Sequence, residues 1–270
     1  MNNILFDFKQ YCANFLKIKT KQGKLVPFIF NPPQLDLYNS FLLPLKESRI
    51  PLRWIVLKAR QEGVSTFVEA RIFNKAHLNE NINCLIVAHD REGTNTVFNI
   101  AKNYYNCLPS ELKPLTKHSN TKELVYQNPS PKGDFHNLNA GLNSSIRAQT
   151  AGWIDIGRSK TIQHLHCSEI SFWPDPETAI DGLFEAVPME YGTTIILEST
   201  ANGVGNWFHH FWYESKANRS MFTPIFLPWF DHPDYSLSVP RGWEFTDEER
   251  KLQALTIGKW GLDTPDLSPC

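Results

Sequence analysis

Apolar runs of strand length alternate along the chain with longer stretches whose apolar residues recur at helical spacing. Leu52–Leu57 (LRWIVL) predicts a buried strand and Phe67–Leu78 the helix after it. Asn83–Ala88 (NCLIVA) predicts the next strand, followed by a helix through Cys107 that carries Phe98, Ala101, Lys102 and Tyr105 at helical spacing. Residues 109–143 are rich in Pro, Asn, Ser and Gly and predict an irregular connection with one short strand at Leu124–Tyr126. Ser144–Gln149, Thr161–His166 and Thr193–Glu198 are further strand candidates. Pro176–Val187 reads as a helix capped by Asp175, and a helix over Gly205–Ser215 follows. Phe222–Trp229 is a last apolar, strand-like run, before an acidic, Pro-containing tail from Asp231. Alternation of this kind predicts an α/β fold with a mostly parallel sheet. No internal repeat or low-complexity segment interrupts it.

Composition narrows the class. The chain has 270 residues, 41% hydrophobic and 13% aromatic, which excludes a disordered or collagen-like chain and allows one or two domains. No apolar run approaches the ~18–20 residues needed to span a bilayer, and Asp7, Lys9 and Gln10 break the first segment before a signal-peptide core can form. A soluble intracellular protein is expected. The formal net charge of −1 hides a gradient: residues 1–60 carry ten Lys and Arg against three Asp and Glu, and residues 161–270 carry six against sixteen. Such asymmetry permits a polyanion near the first segment, and it is equally what unevenly placed solvated charges produce. The five cysteines, at 12, 84, 107, 167 and 270, form no C-x-x-C pair and suggest reduced thiols rather than a disulfide framework or a zinc site. His164 and His166 share a face if their segment is a strand, but no ligand-like partner spacing accompanies them.

Four segments carry candidate chemistry. The strand 52–57 runs into Lys58-Ala59-Arg60-Gln61-Glu62-Gly63-Val64-Ser65-Thr66 and then a helix. A strand, a glycine loop and a helix N-terminus form the context in which backbone N–H groups bind phosphate. An ordinary strand-to-helix turn has the same outline. The usual phosphate loop, G-x-x-x-x-G-K-[ST], places Lys where Val64 stands here; Lys58 and Arg60, at the loop's start, are the cations that can swing across it. A second apolar strand ends in Cys167-Ser168-Glu169. In nucleotide hydrolases of this topology such a strand end holds Mg²⁺ or orients the attacking water, a task open to Glu169, while Ser168 stands where a metal-holding Asp is usual and acts, if at all, through a bound water. Upstream, Pro27–Gln34 presents Gln34, whose amide suits the donor and acceptor edge of adenine and also suits an ordinary loop. Finally, Glu198-Ser199-Thr200-Ala201-Asn202-Gly203 ends the strand TTIILE, where polar side chains face the ligand crevice of an open α/β sheet or form an Asn-Gly turn.

In this order, over residues 10–235, the four segments resemble the ATPase domain of the large terminase subunit, the DNA-packaging motor of tailed phages and prophages. Gln34 matches the family's adenine motif, Lys58–Thr66 its deviant Walker A loop, Glu169 in HCSEISFWPD its Walker B glutamate, and Ser199, Thr200 and Asn202 its coupling motif. The resemblance implies an α/β P-loop NTPase (ASCE/RecA-like) three-layer fold with a mostly parallel central sheet flanked by helices. It implies an N-terminal segment over 1–50, an ATPase core over 51–220 and a linker or lid over 221–270. It also implies ATP and Mg²⁺ as cofactors. Gly63, Val64, Ser65 and Thr66 would then cradle phosphates through backbone N–H groups, Lys58 with Arg60 would neutralise their charge, Ser65 or Thr66 would hold Mg²⁺, with Ser168 acting through water, and Glu169 would orient water. Arg158 falls where the family has a finger reaching the neighbouring subunit's nucleotide, with Arg147 as the competing candidate. The implied partners are double-stranded viral DNA, the portal protein, the small terminase subunit and further copies of the chain in a ring docked on the procapsid in the host cytoplasm. The usual nuclease domain is not expected within these residues, because Glu244, Asp247, Glu248 and Glu249 form a surface-like run rather than converging carboxylates. A hydrolysis-incompetent remnant that binds nucleotide or DNA, and another helicase-like ATPase, are the competing readings.

Overall fold

The computed structural model describes residues 5, 7–43, 50–127, 141–152, 161–232, 235 and 242–251. A sheet of eight strands forms the middle layer. In chain order, β1 (Lys17–Lys19) and β2 (Leu25–Pro27) make a separate antiparallel hairpin, and the sheet is built from β3 (Leu52–Lys58), β4 (Asn83–Ala88), β5 (Thr116–Ser119), β6 (Glu123–Tyr126), β7 (Ser145–Thr150), β8 (His164–Ser168), β9 (Thr194–Ser199) and β10 (Thr223–Leu227). Their spatial order is β10-β3-β9-β8-β4-β7-β6-β5. The first six run parallel, and β6 and β5 add an antiparallel edge. Because both faces of the parallel strands are covered, they read as near-continuous apolar runs rather than alternating ones.

Alternation survives in where each residue goes. Trp54 and Val56 of β3, Ile86 of β4 and Ile196 of β9 pack into one core; Ile55, Leu85, Val87, Leu165, Cys167, Ile195 and Leu197 pack into the other. The first core lies under α1 (Phe8–Phe15), α2 (Pro32–Asp36, continued by a wide turn over Leu37–Leu42), α3 (Val64–Leu78) and α4 (Arg91–Cys107). The second lies under α5 (Pro176–Glu185) and α6 (Trp207–Lys216). The layers are therefore helices, sheet, helices. Caps start the helices where the sequence supplies short polar side chains: Asp7, Asn31, Asp90, Asp175 and Asn206 each accept a hydrogen bond from a first-turn N–H. Among the described residues no helix is long and apolar enough to cross a membrane.

The chain divides into one compact unit over Met1–Leu227 and a second over Pro228–Cys270, in which a short turn of helix spans Trp229–Asp231. The described residues of the N-terminal segment, 1–50, pack on the helices of the first unit. Phe8 meets Phe67 of α3 edge-on at 5.4 Å, Phe30 meets Phe67 at 5.1 Å, and Phe28 stacks on Tyr104 of α4 at 6.2 Å. The strand-like run expected at Phe222–Trp229 contains β10, the outermost strand beside β3, with Ile225 and Leu227 buried. The strand expected at Thr161–His166 lies at His164–Ser168, which carries β8 to within one residue of Glu169.

Candidate functional site

The carboxyl ends of β3, β8 and β9 converge under the first turn of α3. On the strand face that α3 covers, side chains turn polar at the last positions: Lys58 follows Trp54 and Val56, Glu198 follows Ile196, and His164, His166 and Ser168 occupy alternate positions of β8. This is the crevice side at which open α/β sheets bind ligands.

The loop between β3 and α3 contains two left-handed residues, Gln61 at φ 60° and Gly63 at φ 75°. Gly63 is the N-cap of α3 and supplies no side chain, so the first N–H groups of a 15-residue helix are left for an anion. Two side chains brace the loop from α2. Gln34 Nε2 donates to Gly63 O at 2.8 Å, and Asn31 Nδ2 donates to Glu62 O at 3.1 Å. Gln34 Oε1 accepts from Asn31 N in a capping box. Expected to read adenine, Gln34 is 3% exposed with both amide atoms engaged inside the protein; in this structure it holds the loop. A Cβ at Gly63 would lie 2.5 Å from Gln34 Nε2, which is why the position takes glycine.

Lys58 Nζ stands 2.8 Å from Glu169 Oε1 and 3.1 Å from Glu198 Oε2. Burial alone would lower the Lys58 pKa, but Glu198 and Glu169 outweigh it and raise the value. Glu198 is wholly buried. Burial would push its pKa up, yet Lys58, His166 and Ser168 together hold it far below the usual carboxylate range. Its Oε1 accepts from Ser65 Oγ at 2.9 Å and from Ser168 Oγ at 2.8 Å, and lies 3.3 Å from His166 Nε2. His166 Nδ1 is 2.6 Å from Glu69 Oε1 on α3. Burial disfavours the His166 cation, but the two flanking carboxylates, Glu198 and Glu69, outweigh it and raise the pKa of the ring.

Glu169 follows β8 with φ 50°, a left-handed conformation uncommon outside glycine and of the kind stored at functional sites. Its Oε2 accepts from Thr200 N at 3.0 Å, Thr200 Oγ1 at 3.1 Å and Ser199 Oγ at 3.3 Å. Asn202 Nδ2 donates to Ser171 O at 2.9 Å, and Ser171 Oγ donates to Thr200 O at 2.8 Å. The end of β9 and the turn after Glu169 are thus tied together.

Of the residues singled out in the sequence, Gln34, Lys58, Gly63, Ser65, Glu169, Ser199, Thr200 and Asn202 come together here. Val64 occupies the place of the usual loop Lys with its side chain in the core, so only its backbone N–H is on offer. Arg60 is exposed on the loop. Thr66 accepts from Tyr104 Oη through its carbonyl at 3.0 Å, whereas the Ser65 hydroxyl reaches the carboxylate cluster. Ser168 Oγ donates directly to Glu198 Oε1 at 2.8 Å. Arg147 Nε pairs with Glu123 Oε1 at 3.3 Å across the β6–β7 edge. Arg158 lies outside the described residues. Glu69 is absent from the residues singled out in the sequence, His166 is weighed there only with His164 as a metal pair, and Glu198 is named as the start of its segment without a role of its own. Their signal was a single Glu ending an apolar strand and a His two residues before Ser168 on the same strand face.

Comparison with solved structures places the architecture. The chain matches the large terminase of bacteriophage HK97 with a TM-score of 0.61 at 15% identity, over 95% of this chain and 52% of that one. It matches the large terminase ATPase domain of Thermus phage P74-26 with a TM-score of 0.53 at 15% identity, over 89% of this chain and 90% of that one. The chain has the fold of a phage large terminase ATPase domain. The large terminase of another, thermophilic bacteriophage is similar as well, with a TM-score of 0.51 at 9% identity over 84% of this chain and 50% of that one. This chain therefore spans about half the length of the HK97 terminase and of the thermophilic phage's terminase. No protein-family model and no curated protein matches it. Within the terminase fold, the α/β architecture with its mostly parallel sheet is as the alternation of apolar segments predicted.

Proposed function

We propose that the chain is the ATP-hydrolysing motor domain of a phage terminase that drives double-stranded DNA into a procapsid. One observation carries the reading: Lys58, at the start of the loop, reaches across to Glu169 at the end of β8 and Glu198 at the end of β9, while Ser65 of the same loop donates to Glu198. Cation, helix N-terminus, hydroxyl and carboxylate around one crevice are the parts phosphoryl transfer needs.

In this reading the N–H groups of Gly63, Val64, Ser65 and Thr66 bind the nucleotide's phosphates, and Lys58, aided by Arg60, neutralises their charge. Glu169, its other oxygen held by Ser199 and Thr200, orients the attacking water. Loss of the γ-phosphate is relayed through the same clasp to Thr200 and Asn202. Among the described residues no group of three or more His, Cys, Asp or Glu forms a dedicated metal cage. Ser65 and a carboxylate would hold Mg²⁺, which takes one or two protein oxygens plus phosphates and would supply charge neutralisation there. Arg158 of a neighbouring copy is the proposed finger in a ring. The portal protein and small terminase subunit are the proposed docking partners, in the host cytoplasm. The exposed Lys17, Lys19 and Lys24 around the β1–β2 hairpin supply a local basic surface for the DNA backbone.

Phosphate release from ATP, with and without linear duplex DNA, tests the proposal. Turnover is expected for the full chain and not for Glu169→Gln. Equal release from both would sink the motor reading and favour a binding module without hydrolysis.

A further inference from the structure

We propose that Glu198 is the metal-side carboxylate of this site, taking the role of the Asp that Ser168 replaces at the end of β8. The assignment rests on the ATPase reading above. In the parallel register Ser168 lies directly opposite Glu198, so the two side chains leave neighbouring strands on the same face. Glu has one methylene more than Asp, and from one strand away it meets the same loop hydroxyl: Ser65 Oγ donates to Glu198 Oε1 at 2.9 Å. That hydroxyl is the one a phosphate loop offers to Mg²⁺.

The surroundings orient this carboxylate rather than merely neutralise it. Ser168 Oγ donates to Oε1 at 2.8 Å, His166 Nε2 stands 3.3 Å from the same atom, and Glu69 on α3 holds the other side of the imidazole at 2.6 Å. Carboxylate, imidazole and carboxylate in series is the arrangement by which outer partners fix the orientation of groups that bind metals. Ser168, His166 and Glu69 are thus positioning residues for Glu198. The second carboxylate, Glu169, is held by a different set of donors, Ser199 and Thr200. Two roles that adjacent Asp and Glu residues divide in the usual strand end are divided here between neighbouring strands, with Lys58 between them.

The test measures binding of a fluorescent ADP analogue to the full chain in Mg²⁺ and in EDTA, together with the electron paramagnetic resonance signal of Mn²⁺ in the nucleotide complex. Glu198→Gln is expected to shrink the gain in affinity between EDTA and Mg²⁺ by roughly 10–100-fold. It is also expected to change the Mn²⁺ signal. Glu198→Asp, which keeps the negative charge beside Lys58 and His166, carries the test if the Gln variant does not fold; it is expected to show a reduced metal increment. A full increment and an unchanged Mn²⁺ signal in either folded variant overturns the assignment alone. A wild-type chain that binds no nucleotide with or without metal overturns the ATPase reading, and this assignment with it.

Discussion

Lys58 and Glu169 are 111 positions apart in sequence and 2.8 Å apart in the fold, so the ammonium that begins the phosphate loop is held by the carboxylate that ends β8. With Glu198 3.1 Å away on its other side, Lys58 is the cation between two strand ends.

Removing that cation leaves the wholly buried Glu198 without its principal counter-charge. Lys58→Met is expected to lower unfolding free energy by about 3–5 kcal/mol, the usual result of breaking a buried pair from one side. Adding Glu198→Gln should recover part of that loss. Urea unfolding of the two single variants and the double variant measures the coupling, and strictly additive losses would show that the pair does not interact.

Gly63 is confined by conformation and by space. Gly63→Ala must place a Cβ at φ 75° and 2.5 Å from Gln34 Nε2, so it is expected to destabilise by at least the ~1–3 kcal/mol typical of a strained backbone. Gln34→Ala in the same chain relieves the contact and leaves the backbone strain. Partial rescue of the thermal midpoint by the second substitution is the expected outcome; full rescue or none would contradict one of the two causes.

Thr200→Val removes a hydroxyl donor to Glu169 while keeping the backbone N–H that donates beside it. Hydrogen bonds to a charged acceptor contribute about 1.5–3 kcal/mol, so the turnover number is expected to fall roughly 10–100-fold. Nucleotide affinity should be unchanged. Steady-state turnover measured beside equilibrium nucleotide binding separates the two effects, and a loss of affinity with normal turnover would argue against the clasp.

His77 reports on acid stability away from the site. It is buried between Tyr11 Oη, 2.7 Å from Nδ1, and Leu112 O, 2.7 Å from Nε2, and burial lowers its pKa from the ordinary 6.5. Above pH 6.5 neither state binds the proton. Below it the unfolded chain does and the folded chain resists, so stability is full above 6.5 and falls as pH drops through the lowered folded value. His77→Leu is expected to flatten the decline by up to about 1.4 kcal/mol per pH unit, the limit for one proton. His164, also held neutral by burial, keeps the remaining slope from vanishing. Urea midpoints between pH 5 and 7.5 check this, and an unchanged slope in the variant would remove His77 as a contributor.

Much of the architecture is legible in local pattern, because an apolar run buried on both faces and a helix with an apolar stripe each announce themselves over a few residues. LRWIVL, NCLIVA and TTIILE are strands β3, β4 and β9 within one residue, and the segments carrying Lys58, Glu169 and Thr200 lie where their strand ends suggested. The sequence by itself therefore determined the alternating α/β order and the candidate loop, since both depend on contacts within a short stretch. The tertiary structure alone decided which strands are neighbours. Only the pairing of β8 with β9 puts Ser168 beside Glu198, and only the lie of α3 across that face brings Ser65 and Glu69 to the same buried charges. A glutamate that ends an apolar strand is a single polar letter in sequence. It becomes part of a site because parallel strands joined by long crossovers align their carboxyl ends in one crevice, where residues more than a hundred positions apart share hydrogen bonds.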